Sequence, residues 1–251
     1  MDEELVKNQI EQIALEYPRY GYRRITEELK RRDFIVNHKR VLKLMQEEDL
    51  LCKHKKKFMV TTDSNHPLPI YPNLIKGMIV TRINQIWVAD ITYIPLTTGK
   101  FVFLAVVLDL YSRKVVGWHL GSDLSSILVC HALQMAILSR KPPAGLTHHS
   151  DRGVQYASYE YTNILKLNNI QISMSRKGNP YDNAVCESFN KTFKWDEVRL
   201  NKYNNYFEAK EAIANYIEQI YNAKRLHSSL NYRPPNEFEE SLINSQLSVR
   251  Y

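Results

Sequence analysis

The chain has 251 residues, 44% hydrophobic and 24% charged, with a formal net charge of +7, the balance of a soluble globular protein of one large domain or a small and a medium one. The longest apolar run, Phe101 to Leu108, is eight residues and too short to span a bilayer, and the polar start "MDEELVKNQI" is no signal peptide, so a cytoplasmic protein is expected. Cys52, Cys130 and Cys186 are too far apart for a CxxC metal pair or a disulfide framework, and the excess of positive charge points to a polyanionic partner without naming one.

Residues 1–58 read as three short helices. Ile10, Ile13, Ala14 and Tyr17 recur at helical spacing until Pro18 stops them. The stretch "YGYRRITEELKRRDF" offers a second helix with Ile25 and Leu29 inward. Asn37 caps a third, whose apolar stripe is Val41, Leu44 and Met45. From Arg19 to Lys57 there are 13 Lys and Arg against 6 Asp and Glu, so the basicity of the whole chain is concentrated here. Three short helices with a basic last one is the pattern of a helix-turn-helix module, or of a small helical subdomain with a solvated basic face. The first reading makes Arg19, Tyr22, Arg23, Arg24, Lys39, Arg40, Lys43, Lys55 and Lys56 the candidates for DNA contact.

Residues 59–83, with Pro67, Pro69 and Pro72, read as a linker. From 84 to 251 the pattern changes. "IWVADITYIPL" and "KFVFLAVVLDL" flank Thr97-Thr98-Gly99 as a hairpin, and "KVVGWHLG" is a third strand. A helix follows with Leu128, Ala132, Met135 and Ala136 on one face. Then come the short strand "LTHHS", a helix capped by Ser158, the strand "IQISM", and a long helix from about Asn183. Three antiparallel strands followed by helix–strand alternation give an α/β fold, a mixed five-stranded sheet flanked by helices, after a small all-α domain.

Three carboxylates are out of place in this pattern. Asp90 interrupts a strand, where aspartate is depleted and a buried charge is costly unless paired or bound to a cation; an edge position facing water is the alternative. Asp151 ends a strand, where ligand-binding residues gather in open sheets, and Gly153 lets the chain turn after it. Glu187 lies on the long helix, with Val185, Phe189 and Phe193 as the buried stripe and Lys191 and Lys194 four and seven positions on; singly, it reads as a surface Glu–Lys pair. Together, three such groups at one sheet edge repel unless a divalent cation neutralises them. Oxygen ligands suit Mg²⁺ or Mn²⁺, and a pair of such ions is suited to phosphodiester chemistry. Asp109 is a rival carboxylate, better placed to cap the turn near Arg113. His148, His149 and Ser150 suggest a hydrolase triad, but neighbours on a strand point to opposite faces.

Asp151 and Glu187 are separated by 35 residues, and Lys194 trails the glutamate by seven. With "WVADITYI", "LDLYSRKVVGW", "HSDRGVQY", "SRKGNPYDNAVCESFNKTFK", "YNAKRLHSSLNYRPP" and, earlier, "YGYRRITEELKRR", the chain resembles the insertion-sequence three family of bacterial DDE transposases, with a retroviral-integrase-like catalytic core, over essentially its whole length. The resemblance implies a ribonuclease-H-like fold, DNA cleavage at insertion-sequence ends and 3′-hydroxyl strand transfer. It also implies Asp90, Asp151 and Glu187 as catalytic ligands of Mg²⁺ or Mn²⁺, two ions together. Lys194, and with it Lys191, would face DNA, and Arg152, Lys177 and Arg225 are further candidates for phosphate contact. The expected partners are DNA, further copies of the chain in a synaptic complex, and an upstream-frame protein. Beside the family's upstream helix-turn-helix and coiled coil, which do not precede "MDEELVKNQI" in this sequence, a downstream reading-frame product is the expectation; no membrane partner is expected, and a bacterial, nucleoid-associated location is implied. Asn231 stands where the family usually has glycine, which puts one turn in doubt. A ribonuclease-H-like nuclease without strand transfer and a transposase-derived DNA-binding regulator are the competing readings.

Overall fold

The computed structural model describes residues 3–51, 67–176 and 183–248. The chain forms two compact units, one of residues 1–59 with 226–232, the other of residues 60–225 with 233–251.

The first unit holds α1 (Glu3–Glu16), α2 (Tyr22–Arg31) and α3 (His38–Glu47). Its core joins Ile10 and Ile13 of α1, Ile25 and Leu29 of α2, and Val41, Leu44 and Met45 of α3, as their helical spacing requires. The Asn37 side chain accepts from the Lys39 amide at 2.8 Å and caps α3. One member of this core was not legible in advance. Leu226 is buried in it, its amide donating to the Tyr20 hydroxyl at 2.9 Å and its carbonyl accepting from Arg24 Nε at 3.0 Å. The doubtful turn exists: Asn231 has φ +53°, the left-handed region glycine favours and asparagine tolerates better than most residues.

The second unit is built on a sheet of order β3-β2-β1-β4-β5. Strands β1 (Ile86–Pro95), β2 (Phe101–Asp109) and β3 (Val115–Gly121) are antiparallel, while β4 (Thr147–Ser150) and β5 (Gln171–Met174) run parallel to β1. It is the mixed five-stranded, helix-flanked sheet expected of a ribonuclease-H-like core. Alternation along β1 assigns two buried faces. Ile86 and Val88 pack with α7 (Ala184–Phe193) and α8 (Tyr206–Asn215). Trp87 and Ala89 pack with α4 (Ser126–Arg140), the short α5 (Val154–Ala157) and α6 (Tyr159–Leu167), whose cap Ser158 accepts from the Tyr161 amide at 3.2 Å. Residues 68–75, within the stretch read as a linker, run along β5, with Leu74 N donating to Ser173 Oγ at 2.9 Å and Met174 N to Pro72 O at 3.3 Å. Among the described residues no helix is long and apolar enough to cross a membrane.

Two expected stripes are shifted. Met135 is 39% exposed, so the buried face of α4 is carried by Leu128, Val129, Ala132, Leu133 and Ala136. On α7 Val185 is only half-buried and Cys186 is fully buried, with Phe189 and Phe193.

Asp109 caps a turn, accepting from the amides of Asn84 (2.6 Å), Tyr111 (2.9 Å) and Ser112 (3.0 Å). Nearby, Arg140 on α4 makes a two-pronged ion pair, both contacts 2.7 Å, with Glu239 of α9 (Pro235–Ser248). The pair is buried, so removing one partner strands the other. Glu239→Ala is expected to cost about 3–5 kcal/mol, read as a lower urea midpoint for unfolding. An unchanged midpoint would show that α9 is not anchored through this pair.

Candidate active site

The even-numbered face of β1 that buries Ile86 and Val88 continues to Asp90, which is half-buried. Its two carboxylate oxygens each receive a donor: Ile91 N on Oδ1 at 2.9 Å and Asn190 Nδ2 on Oδ2 at 2.8 Å. Val88 pairs with His149 in the parallel ladder, and carrying that register on by two residues sets Asp90 beside Asp151, just beyond the carboxyl end of β4. Asp151 Oδ1 accepts from the Gly153 amide at 2.8 Å, the local task that the residue pattern alone does not give it. Both aspartates line one cleft, walled by Ile91, Tyr93, Phe103 and Leu124. Glu187 is exposed on the first turn of α7.

Electrostatics tie the three together. The Asp90 carboxyl is pushed up to about 7, first by burial, then by the Asp151 charge and, more weakly, by Glu187, against the pull of the Ile91 and Asn190 donors. The Cys186 thiol, buried beneath them, is raised well above its ordinary value by burial and by the same three charges, and stays protonated. Among the described residues no group of three His, Cys, Asp or Glu is drawn tightly enough to hold a metal ion as it stands. The surroundings nonetheless fit a hydrated cation. The donors are all oxygens, suited to a hard ion, and Tyr156 Oη, Asn183 Oδ1 and Asn190 Oδ1 are buried without a partner among the described residues.

Asp90 is ionised above about pH 7 in the folded chain and above about 4 in the unfolded one, so between these values the folded state holds the extra proton and stability falls as pH rises. Metal-free Asp90→Asn is therefore expected to melt at least about 2–4 °C above the native chain at pH 8, with a smaller difference at pH 4. Equal melting curves at both pH values would show that Asp90 is not held in this repulsive setting.

Lys194 stands beside the site, its ammonium 4.0 Å from the centre of the Tyr93 ring, with its pKa lowered by burial against the pull of Asp90. It opens a π-helical turn, Lys194–Val198, that continues α7. Lys191 is exposed on α7. Arg152 donates through Nε to the Ser175 carbonyl at 2.8 Å. Arg225 is corrected: at 5% exposure it is ion-paired with Asp196 at 2.9 Å and serves the core instead of offering itself to a phosphate.

In the helical unit Lys39 is exposed at the start of α3, and Lys43 is exposed one turn on, 3.7 Å from Glu47. Arg23 lies 5.6 Å over the Tyr22 ring and donates to its hydroxyl. Arg40 is ion-paired with Glu3, Arg24 is turned to Leu226, and Arg19 is half-buried. Lys55, Lys56 and Lys177 lie outside the described residues.

The histidines carry no hydrolase chemistry. His148 is buried against the Tyr161 hydroxyl at 2.8 Å, and burial, with His149 beside it, drives its pKa down to about 3, so it is neutral. His149 meets Ser173 Oγ at 2.8 Å, and Ser150 Oγ donates to the Asp151 carbonyl. His119 and His131 face each other at 3.2 Å across β3 and α4. The residue pattern missed Asn190, whose three-residue spacing from Glu187 was the available signal, and Tyr156, which had none.

Comparison with known proteins gives the chain's domains and relatives. Residues 80–180 and 168–235 match two models described as integrase core domain, and residues 1–58 match an HTH-like domain. The chain is 44% identical over 222 residues, 88% of itself and 81% of its relative, to "Insertion element IS600 uncharacterized 31 kDa protein" of Shigella sonnei. It is 38% identical to "Transposase for insertion sequence element IS904" of Lactococcus lactis subsp. lactis (strain IL1403), covering 96% of this chain and 95% of that one. It is also 38% identical to "Transposase InsF for insertion sequence IS3A" of Escherichia coli (strain K12), over 88% of this chain and 77% of the other.

Proposed function

The chain belongs to the insertion-sequence three family of DNA transposases, with an integrase core and an HTH-like domain, and on that premise we propose that Asp90, Asp151 and Glu187 are its catalytic, ion-holding carboxylates. The observation that carries this reading is Asp90 set half-buried beside Asp151 by the parallel ladder, its carboxyl pushed up first by burial and then by the Asp151 and Glu187 charges. A divalent cation, Mg²⁺ or Mn²⁺ and two together, would activate an attacking oxygen and stabilise the leaving one when bound.

The residues themselves divide the remaining work. Ile91 N and Asn190 Nδ2 fix the rotation of the Asp90 carboxylate, and Gly153 N fixes that of Asp151. Lys194, held over Tyr93 beside Asp90, supplies a positive charge for a phosphate of the DNA end. Lys191 and Arg152 extend that contact. In the helical unit the exposed Lys39, Lys43 and Arg23, with the half-buried Tyr22, would meet the terminal DNA sequence, and Arg19, Arg24, Arg40, Lys55 and Lys56 are the further candidates for DNA contact. The reaction is cleavage at an insertion-sequence end followed by attack of the freed 3′-hydroxyl on a phosphodiester, so the protein forms no covalent bond to DNA. Holding two ends at once calls for a multimer, and an upstream-frame protein is the natural further partner. Its place is the bacterial cytoplasm, on nucleoid DNA.

The test is incubation of the full chain, with Mg²⁺, on DNA ends taken from the sequence flanking its own coding region. Joined products that appear with the ion and vanish with a chelator are expected. Turnover of an RNA–DNA hybrid without any joining would replace this reading with that of a nuclease.

A further inference from the structure

We propose that Asn190 is a positioning residue of this site, holding Asp90 and the glutamate-bearing helix in the arrangement that receives a divalent cation. The proposal rests on Asp90, Asp151 and Glu187 being the ion-holding set.

Beside the apolar face that α7 buries on the sheet runs a polar stripe. Asn183, Glu187, Asn190 and Lys194 recur at intervals of four, three and four residues, which places them on one side of the helix. Asn183 Nδ2 donates to the Ala89 carbonyl at 3.1 Å, Asn190 Nδ2 to Asp90 Oδ2 at 2.8 Å, and Lys194 lies over Tyr93. The stripe therefore tracks β1 from Ala89 to Tyr93, with Glu187 between its two asparagines.

The chemistry of the pair fixes the direction of the Asn190 amide. Above about pH 7, where Asp90 is ionised, its carboxylate only accepts, so the nitrogen faces Asp90 and the carbonyl oxygen points elsewhere, as in the structure. That oxygen is buried and has no partner among the described residues. An asparagine serving only to pack α7 on the sheet would leave nothing to explain here, because Phe189 and Phe193 already bury that helix and a leucine of similar size would fit without an unmet acceptor. The amide does two things a leucine would not. It fixes one oxygen of Asp90 while the Ile91 amide fixes the other, and it ties the helix of Glu187 to the strand of Asp90. Its free carbonyl is left for a water of a bound ion. Partners of this kind, one step removed from the ion, orient the ligands that touch it.

The experiment is a Mn²⁺ titration of the full chain, read by electron paramagnetic resonance of the free ion, for the native protein, Asn190→Leu, Asn190→Ala and Asp90→Asn. Both Asn190 variants are expected to weaken Mn²⁺ binding roughly 10- to 100-fold. Their melting temperatures without metal should stay near the native value, and 3′-end joining should recover as Mn²⁺ is raised. Native-like Mn²⁺ affinity in either folded Asn190 variant overturns the proposal and leaves the carboxylate site standing. If the native chain binds no Mn²⁺, or Asp90→Asn binds it equally well, the ion-holding reading itself falls, and this inference with it.

Discussion

Asp151→Asn is expected to lower 3′-end joining by about 10³-fold or more, equivalent to about 4 kcal/mol of transition-state stabilisation, while leaving the fold and DNA binding intact. Asp151 is placed by the parallel ladder and by its own Gly153 contact, neither of which depends on its charge. The amide can keep that contact through its oxygen, so the substitution removes the negative charge while preserving the Gly153 bond. Without that charge Asp90 and Glu187 face the cation alone, and the repulsion that poises Asp90 to take an ion falls away. In the metal-free state the variant should be no less stable than the native chain, as expected where a site holds like charges together at the expense of stability. Joining that persists at the native rate would remove Asp151 from the chemistry.

Gly117→Val is the corresponding prediction for the scaffold. Gly117 lies on β3 directly under α4, where a side-chain carbon would meet the Ala132 carbonyl oxygen at 2.2 Å and the Ala136 nitrogen at 2.7 Å. Both are backbone atoms of a helix packed on the sheet, so no side chain can swing aside and the helix itself must move. The cost is expected to be about 3 kcal/mol or more. In a chain of this size that is roughly a 6–12 °C fall in melting temperature, followed by circular dichroism. A melting temperature within a degree of the native value would mean that β3 and α4 are not packed this closely.

Much of the architecture was legible because it is encoded locally. The helical spacing of Val41, Leu44 and Met45, the Asn37 and Ser158 caps, and the hairpin around Gly99 each act within a few residues. Asp90 stood out for a similar reason, as a carboxylate in a run of strand formers, and the spacing from Asp151 to Glu187 linked it to a known pattern. What was missed depends on contacts between distant parts of the chain. Asn190 looks like an ordinary helical asparagine until the sheet brings Asp90 to it from 100 positions away. Arg225 looks like a surface cation in a basic, aromatic stretch until Asp196 takes it into the core. Leu226 belongs with helices that begin some 200 residues earlier, as its bond to Tyr20 shows, and no local pattern carries that. The shift of the buried stripe on α7 from Val185 to Cys186 has the same origin, since the sheet and not the helix decides which side is covered.

We propose that the three carboxylates act as one set, of which Glu187, exposed on its helix and only weakly felt at Asp90, is the member least constrained by contacts. The most direct measurement is the rate of 3′-end joining, with Mg²⁺ and flanking end DNA, for Glu187→Gln, Asp151→Asn and the double variant. Glu187→Gln is expected to fall to the same floor as Asp151→Asn, and the double variant no further, as for groups that work as a unit. Joining by Glu187→Gln within tenfold of the native rate would contradict it.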